Sequence, residues 1–132
     1  MSVEAMKTPS AKAAGPYSPA VRAGDWIVIS GQIGIDPATG ELADSTEGEV
    51  RQALANLTAV LGDIGCDWSG VAKATVFATV DASEMPAINA VYEEVVGSNR
   101  PARSTIGVAW LPKGAVFEIE AWVHKPQNRP EA

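Results

Sequence analysis

The sequence predicts an α/β protein with two layers, in which a mixed β-sheet carries two helices on one face. Apolar residues recur at helical spacing in two segments, and β-forming runs lie before, between and after them, in the order β-β-α-β-α-β-β. Helices that alternate with strands imply crossover connections. Two helices can cover only one face of a four- or five-stranded sheet. We therefore expect a second copy of the chain to cover the other face.

The first two predicted strands form a hairpin. The run "DWIVIS" at 25–30 is rich in β-formers, and "PYSPAVRAGD" at 16–25 supplies an antiparallel partner with a turn at 23–25.

Each predicted helix has a start and a stop signal. In the first helix, Thr46 and Glu49 have the spacing of a capping box. The apolar stripe that follows consists of Val50, Leu54, Leu57, Leu61 and Ile64, with Gly65 as the stop. The second helix is expected over 81–96 with Gly97 after it.

The remaining strands are predicted from composition and alternation. The run "VAKATVFATV" at 71–80 is nearly apolar, which is typical of a central strand buried on both faces. In the last run, Phe117, Ile119, Ala121 and Val123 point one way, and Glu118 and Glu120 point the other. The fully apolar set should lie under the helices. Residues 111–114 are short enough for a hairpin, which would pair the last two strands.

Charge and composition narrow the possible partners. The chain has 132 residues and a net charge of −6, which argues against nucleic acid as a partner. No apolar run is long enough to span a membrane. The single cysteine and the absence of a signal-peptide pattern lead us to expect a cytoplasmic protein. We expect mobile ends at 1–14 and 126–132 around one domain at 15–125.

Several chemistries are excluded by the residues present. One histidine, His124, and one cysteine, Cys66, cannot build a His/Cys metal site. The glycine-rich motifs that bind nucleotide phosphates are absent. Cys66 follows the glycine that ends a helix and is interpreted as a small hydrophobic residue rather than a nucleophile.

A small polar set remains, and it allows two interpretations. Its members are Tyr17, Ser30, Asn89, Arg103, Glu118 and Glu120. In the first interpretation, Arg103 forms a structural ion pair with a glutamate. In the second, Arg103 holds a substrate carboxylate bidentately, and a glutamate activates water for hydrolysis or hydration.

Five segments resemble the reactive-intermediate deaminase family, Rid, also called YjgF-like. They are "GPYSPAV" at 15–21, "ISGQIGIDPATGEL" at 29–42, "QALANLTAVL" at 52–61, "INAVYEEVV" at 88–96 and "RPARSTIGVAWLPKGAVFEIEAW" at 100–122. Together they cover nearly the whole predicted domain in consistent order.

The resemblance implies a chorismate-mutase-like fold, a homotrimer with clefts between subunits, and no cofactor. It places the last strand between earlier strands instead of in a terminal hairpin. It also implies hydrolysis of 2-imino acids, such as 2-iminobutanoate and 2-iminopropanoate, to 2-oxo acids and ammonia.

The resemblance assigns roles to individual residues. Arg103 stands at the carboxylate-binding arginine, and Glu118 stands at the water-activating glutamate that faces the same cleft. The remaining cleft positions are Tyr17, Ser30, Gly31, Asn89 and the backbone N–H near Thr105. Glu120 shares the face of Glu118 two residues further along the strand and is expected to lie deeper, so we assign it mainly to trimer packing.

The sequence departs from the family pattern at three positions, which leaves its subfamily open. Thr105 stands where many members carry cysteine, and Trp110 and Trp122 are bulkier than the residues expected there. The alternatives are a hydrolase of another imine or enamine, a non-enzymatic sensor of 2-oxo acids, and an RNA-cleaving translation inhibitor.

Overall fold

Residues 3–128 form one six-stranded mixed sheet with two α-helices. The computed structural model describes residues 3–128. The elements are β1 Glu4–Ala5, β2 Ala20–Ala23, β3 Trp26–Ile33, α1 Thr46–Asp63, β4 Val71–Ala78, α2 Met85–Val96, β5 Ala102–Gly107 and β6 Phe117–His124. The predicted order is confirmed, with β1 as an additional short edge strand.

The last strand lies in the interior of the sheet. The strand order is β1-β2-β3-β6-β4-β5, and only β4 and β5 pair in parallel among neighbouring strands of residues 3–128. The position of β6 between β3 and β4 confirms the expectation from the family resemblance. The terminal hairpin suggested by the short 111–114 connection is therefore wrong.

The core lies between the helices and one face of the sheet. Phe117, Ile119, Ala121 and Val123 of β6 are fully buried, as the alternation predicts. They join one apolar cluster with the inward side chains of both helices, and α1 packs on β3, β6 and α2. Burying one such side chain contributes about 1.5–3 kcal/mol, so this face accounts for much of the stability.

Within residues 3–128, no helix lies over the opposite face of the sheet. Trp122 and Ile106 are 47% and 46% exposed on this face. In β4, buried residues alternate with half-exposed ones such as Lys73, Thr75 and Phe77. The prediction that this central strand is buried on both faces is therefore wrong for one copy of the chain.

The start of α1 differs from the prediction by one residue. Ser45 is the N-cap, and its Oγ accepts a hydrogen bond from the Gly48 N–H at 3.0 Å. Glu49 does not complete a capping box. Its carboxylate is buried and accepts the Val116 N–H at 3.0 Å, which ties the approach to β6 onto α1. The tertiary hydrogen bond from Val116 thus takes the place of the capping box predicted for Glu49.

Described residues near both ends of the chain contact the rest of the protein. Glu4 and Ala5 pair with β2, and the Ser10 N–H and Oγ donate to the Asp63 carboxylate. The Gln127 N–H donates to Asp25 Oδ1 at 3.1 Å. The division of the chain at residues 15 and 125 and the mobility of its ends stay predictions. Residues 1–2 of the predicted N-terminal segment and residues 129–132 of the predicted tail lie outside the described residues.

Candidate active site

Five of the predicted site residues line two separate concavities, whereas Ser30 and Thr105 line neither. Tyr17, Gly31 and Glu118 line one of about 420 Å³. Asn89 and Arg103 line another of about 350 Å³. In one copy of the chain, the proposed acid–base group and the proposed carboxylate clamp are therefore apart.

The strand register explains the separation. Arg103 pairs with Ala74, and Ala74 pairs with Ala121, both buried under the helices. Glu118 pairs with Phe77, which pairs with Ile106. Paired residues point to the same side of a sheet, and side chains alternate along a strand. Arg103 and Ile106 are an odd number of residues apart, so Arg103 lies on the helix side and Glu118 on the helix-free side.

Glu118 is a half-buried carboxylate without a compensating cation. Desolvation raises its pKa, and the negative charge of Glu120 on the same face raises it further. Its side chain makes no hydrogen bond or salt bridge with any residue in 3–128. A carboxylate with a raised pKa is a stronger base than one exposed to water.

Gly31 makes room for the Glu118 carboxylate. A Cβ atom at Gly31 would lie 2.6 Å from Glu118 Cδ, which is closer than real Cβ contacts. The neighbouring Ser30 Oγ donates to the Ser18 carbonyl at 2.6 Å and its N–H donates to the Pro19 carbonyl. Ser30 therefore fastens the segment that carries Tyr17 to β3.

Tyr17 is about half exposed at the mouth of this concavity. Its ring packs beside Gly15, and its hydroxyl accepts the Ala14 N–H at 3.3 Å. Sequence reasoning missed Asn56, which lines the same concavity from α1. Its Nδ2 donates to the Ile33 and Ile35 carbonyls, so it fixes the end of β3. A polar residue on the inner stripe of a predicted helix is the signal that identifies such a position.

Arg103 carries a guanidinium that no carboxylate of the described residues neutralises. Its Nη2 donates to Asn89 Oδ1 at 2.8 Å, and its Cζ lies 4.7 Å from the centre of the Tyr92 ring. It forms no salt bridge within residues 3–128. Glu93 lines the same concavity, but its carboxylate is bound by Arg100 at 3.0 Å. The interpretation of Arg103 as a structural ion-pair partner of a glutamate is therefore not supported within the described residues.

Thr105 lies two residues beyond Arg103 on the same side of β5 and is exposed.

Cys66 is half buried, and desolvation raises the pKa of its thiol, as expected for an unreactive cysteine. Within residues 3–128, no group of three or more histidine, cysteine or acidic side chains is placed to hold a metal ion. No helix in this part of the chain has the length and apolar character needed to cross a membrane.

Comparison with known proteins identifies the family. The family profile described as "Endoribonuclease L-PSP" matches residues 7–125. The chain belongs to this family, which is the YjgF/Rid family that its motifs resemble.

Relatives are similar over most of their length. A 2-iminobutanoate/2-iminopropanoate deaminase from Capra hircus is 44% identical over 120 residues, which are 90% of this chain and 85% of the relative. A RutC family protein from Pyrococcus horikoshii is 41% identical over 86% of this chain and 90% of its own.

Solved structures share the fold. RidA from an Antarctic Psychrobacter is 36% identical with a TM-score of 0.86, over 92% of this chain and 98% of its own. E. coli TdcF with bound serine is 34% identical with a TM-score of 0.86, over the same shares of the two chains.

Proposed function

We propose that this protein hydrolyses small 2-imino acids to 2-oxo acids and ammonia, in clefts formed between the copies of a homotrimer. The observation that carries the proposal is a pair of side chains. Arg103 has no carboxylate partner among the described residues, and Glu118 is half buried with a raised pKa. Two relatives that are 44% identical to this chain are named as deaminases of such substrates. The Rid family membership fits the same chemistry.

Arg103 would hold the substrate carboxylate. Asn89 occupies one N–H donor of its guanidinium, and the others have no acceptor within residues 3–128. A planar guanidinium binds a carboxylate through two parallel hydrogen bonds. The E. coli relative whose structure contains serine shows that a small amino acid binds to a protein of this fold. The backbone N–H near Thr105 would add a donor.

Glu118 would act as the general base. It takes a proton from a water molecule as the water oxygen bonds to the imine carbon and the C=N π electrons move to nitrogen. Glu118 then returns the proton to nitrogen. Glu118 next passes the hydroxyl proton of the carbinolamine to the same nitrogen. As the C–N bond breaks, the carbinolamine oxygen forms the new C=O bond and the nitrogen leaves as ammonia. General base catalysis contributes roughly 10²–10⁴-fold, which suits a substrate that also hydrolyses in water.

The trimer brings the two groups together in this proposal. Arg103 and Glu118 lie on opposite faces of the sheet, so a single copy cannot place both against one small substrate. The helix-free face exposes Trp122 and Ile106 and suits burial against another copy. A cleft between two copies would join the Glu118 side of one to the Arg103 side of the next. Tyr17 would close it.

A coupled assay tests the proposal. A threonine dehydratase generates the imine in situ, and semicarbazide traps the fraction that survives. The protein should reduce trapping in proportion to its concentration while 2-oxo acid still forms. Unchanged trapping, with 2-oxobutanoate binding retained, would instead favour a non-enzymatic sensor.

The family profile's description raises RNA cleavage as a separate activity. The net charge of −6 gives little attraction to a polyanion. Retention of RNA that weakens as salt increases, together with cleavage, would support that activity over imine hydrolysis.

A further inference from the structure

Tyr92 lies beneath the guanidinium of Arg103, at a position that neither the predicted site nor the proposed mechanism uses. Its ring centre is 4.7 Å from Arg103 Cζ, within the range of a cation–π contact. Tyr92 follows Asn89 by three residues on α2, so both side chains face β5 on successive turns. One helix therefore gives Arg103 a flat surface and a hydrogen-bond acceptor.

The Tyr92 ring also contacts Trp68 in the core. The indole of Trp68 meets it edge to face, with ring centres 6.3 Å apart and an interplanar angle of 75°. Trp68 is buried, and its Nε1 donates to Thr58 Oγ1 on α1 at 3.0 Å. The position of the guanidinium thus depends on a continuous set of contacts that begins at α1.

The ring, not the hydroxyl, makes the contact with Arg103. The Tyr92 hydroxyl is buried and has no hydrogen-bond partner within residues 3–128. Burial raises the pKa of the phenol, which outweighs the opposing effect of Arg103. Tyr92 is therefore neutral at working pH and leaves the charge of Arg103 available.

We propose that Tyr92 is a positioning residue, which holds the Arg103 guanidinium in the plane and rotation needed to bind a substrate carboxylate. This inference rests on the proposed function, since it deepens the role of Arg103. Two contacts, the ring face and Asn89 Oδ1, orient the group in a concavity that Arg103 lines, and its remaining N–H donors have no acceptor within residues 3–128. Preorganisation of this kind lowers the cost of ordering a flexible side chain on binding.

The test compares Tyr92→Phe with Tyr92→Leu. Phenylalanine keeps the ring and removes the hydroxyl, so KM for the imine and the Kd for 2-oxobutanoate, measured by calorimetry, should stay within about threefold of wild type. Leucine removes the ring, so both constants should rise about tenfold with a smaller change in kcat. The binding of 2-oxobutanamide, which lacks the carboxylate, should not weaken. If the leucine variant does not fold, Tyr92→Met provides the same comparison.

The outcomes separate this inference from the proposed function. Wild-type Kd for 2-oxobutanoate in a folded Tyr92→Leu or Tyr92→Met variant would overturn it, as would an equal loss in Tyr92→Phe. An Arg103→Lys variant with wild-type Kd, or a wild-type protein that does not bind 2-oxobutanoate, would remove the clamp and the inference together. Carboxylate binding that depends on Arg103 and on the Tyr92 ring, without turnover, would sustain the inference and overturn imine hydrolysis.

Discussion

Arg103 owes its proposed role to the neutrality of its neighbours. Asn89 and Tyr92 orient the guanidinium without cancelling its charge, and Arg100 binds the nearby Glu93. An arginine paired with a carboxylate would have little capacity left for a ligand. The same residue type in the same strand would then be structural.

Arg103→Lys should reduce imine hydrolysis by about 100-fold with little change in melting temperature. Lysine keeps the positive charge but loses the planar fork and its stacking on the Tyr92 ring, and a small misplacement of the substrate is costly. The coupled trapping assay and thermal unfolding measure the two quantities. Retained specific activity with a lower melting temperature would assign Arg103 to structure instead of binding.

The pH dependence of activity should report Glu118. A general base works in its ionised form, so kcat/KM should fall as pH drops through a pKa above the ordinary glutamate value of 4.5. Glu120→Gln removes the negative charge of Glu120, which is the smaller of the two causes that raise the pKa of Glu118. The fall in kcat/KM on the acidic side of the profile should therefore move to lower pH. A pH–rate profile of both proteins, with the conservative Glu120→Asp as control, measures the shift. A fall at unchanged pH would mean that another group sets it.

The same shift has a stability consequence with a fixed sign. The folded protein holds the Glu118 proton to higher pH than the unfolded chain does. Stability is therefore lost as pH rises from the ordinary pKa through the raised one. Glu118→Gln should consequently unfold no more easily than wild type at pH 7 while activity is lost. This pattern is opposite to that of a carboxylate stabilised by an ion pair.

The individual elements show which structural features the sequence patterns predict correctly. The alternation in β6 correctly assigned Phe117 and Glu118 to different faces, because burial follows the two-residue period of a strand. The capping prediction failed by one residue, because Glu49 makes a tertiary bond to Val116 that no local motif encodes. The opposite facing of Arg103 and Glu118 depends on the register of β4 with both its neighbours, which the sequence does not display.

The N-cap of α1 can be tested with adjacent residues. Ser45→Ala removes the acceptor of the Gly48 N–H and should cost about 1 kcal/mol, or about 4 °C in melting temperature. Thr46→Ala serves as the matched control, because its hydroxyl does not cap the helix, and it should change stability by less than about half as much. Chemical denaturation measures both. The reverse order of effects would restore Thr46 as the cap.

In the whole molecule, we propose that one active site needs two copies of the chain. The sheet places the proposed base and the proposed clamp on opposite faces, and the helix-free face carries exposed apolar residues. The family resemblance already implies clefts between subunits. The strand register supports that implication independently, together with the absence of a described carboxylate partner for Arg103.

The most direct measurement is complementation between two inactive variants. Arg103→Ala and Glu118→Gln are unfolded together, mixed in equal amounts and refolded, with light scattering to establish the trimer and each variant refolded alone as control. If a cleft takes Arg103 from one copy and Glu118 from its neighbour, about one quarter of the clefts regain both groups, and imine hydrolysis returns to about that fraction of wild type. A mixture that forms trimers but stays as inactive as its parents would contradict a shared site.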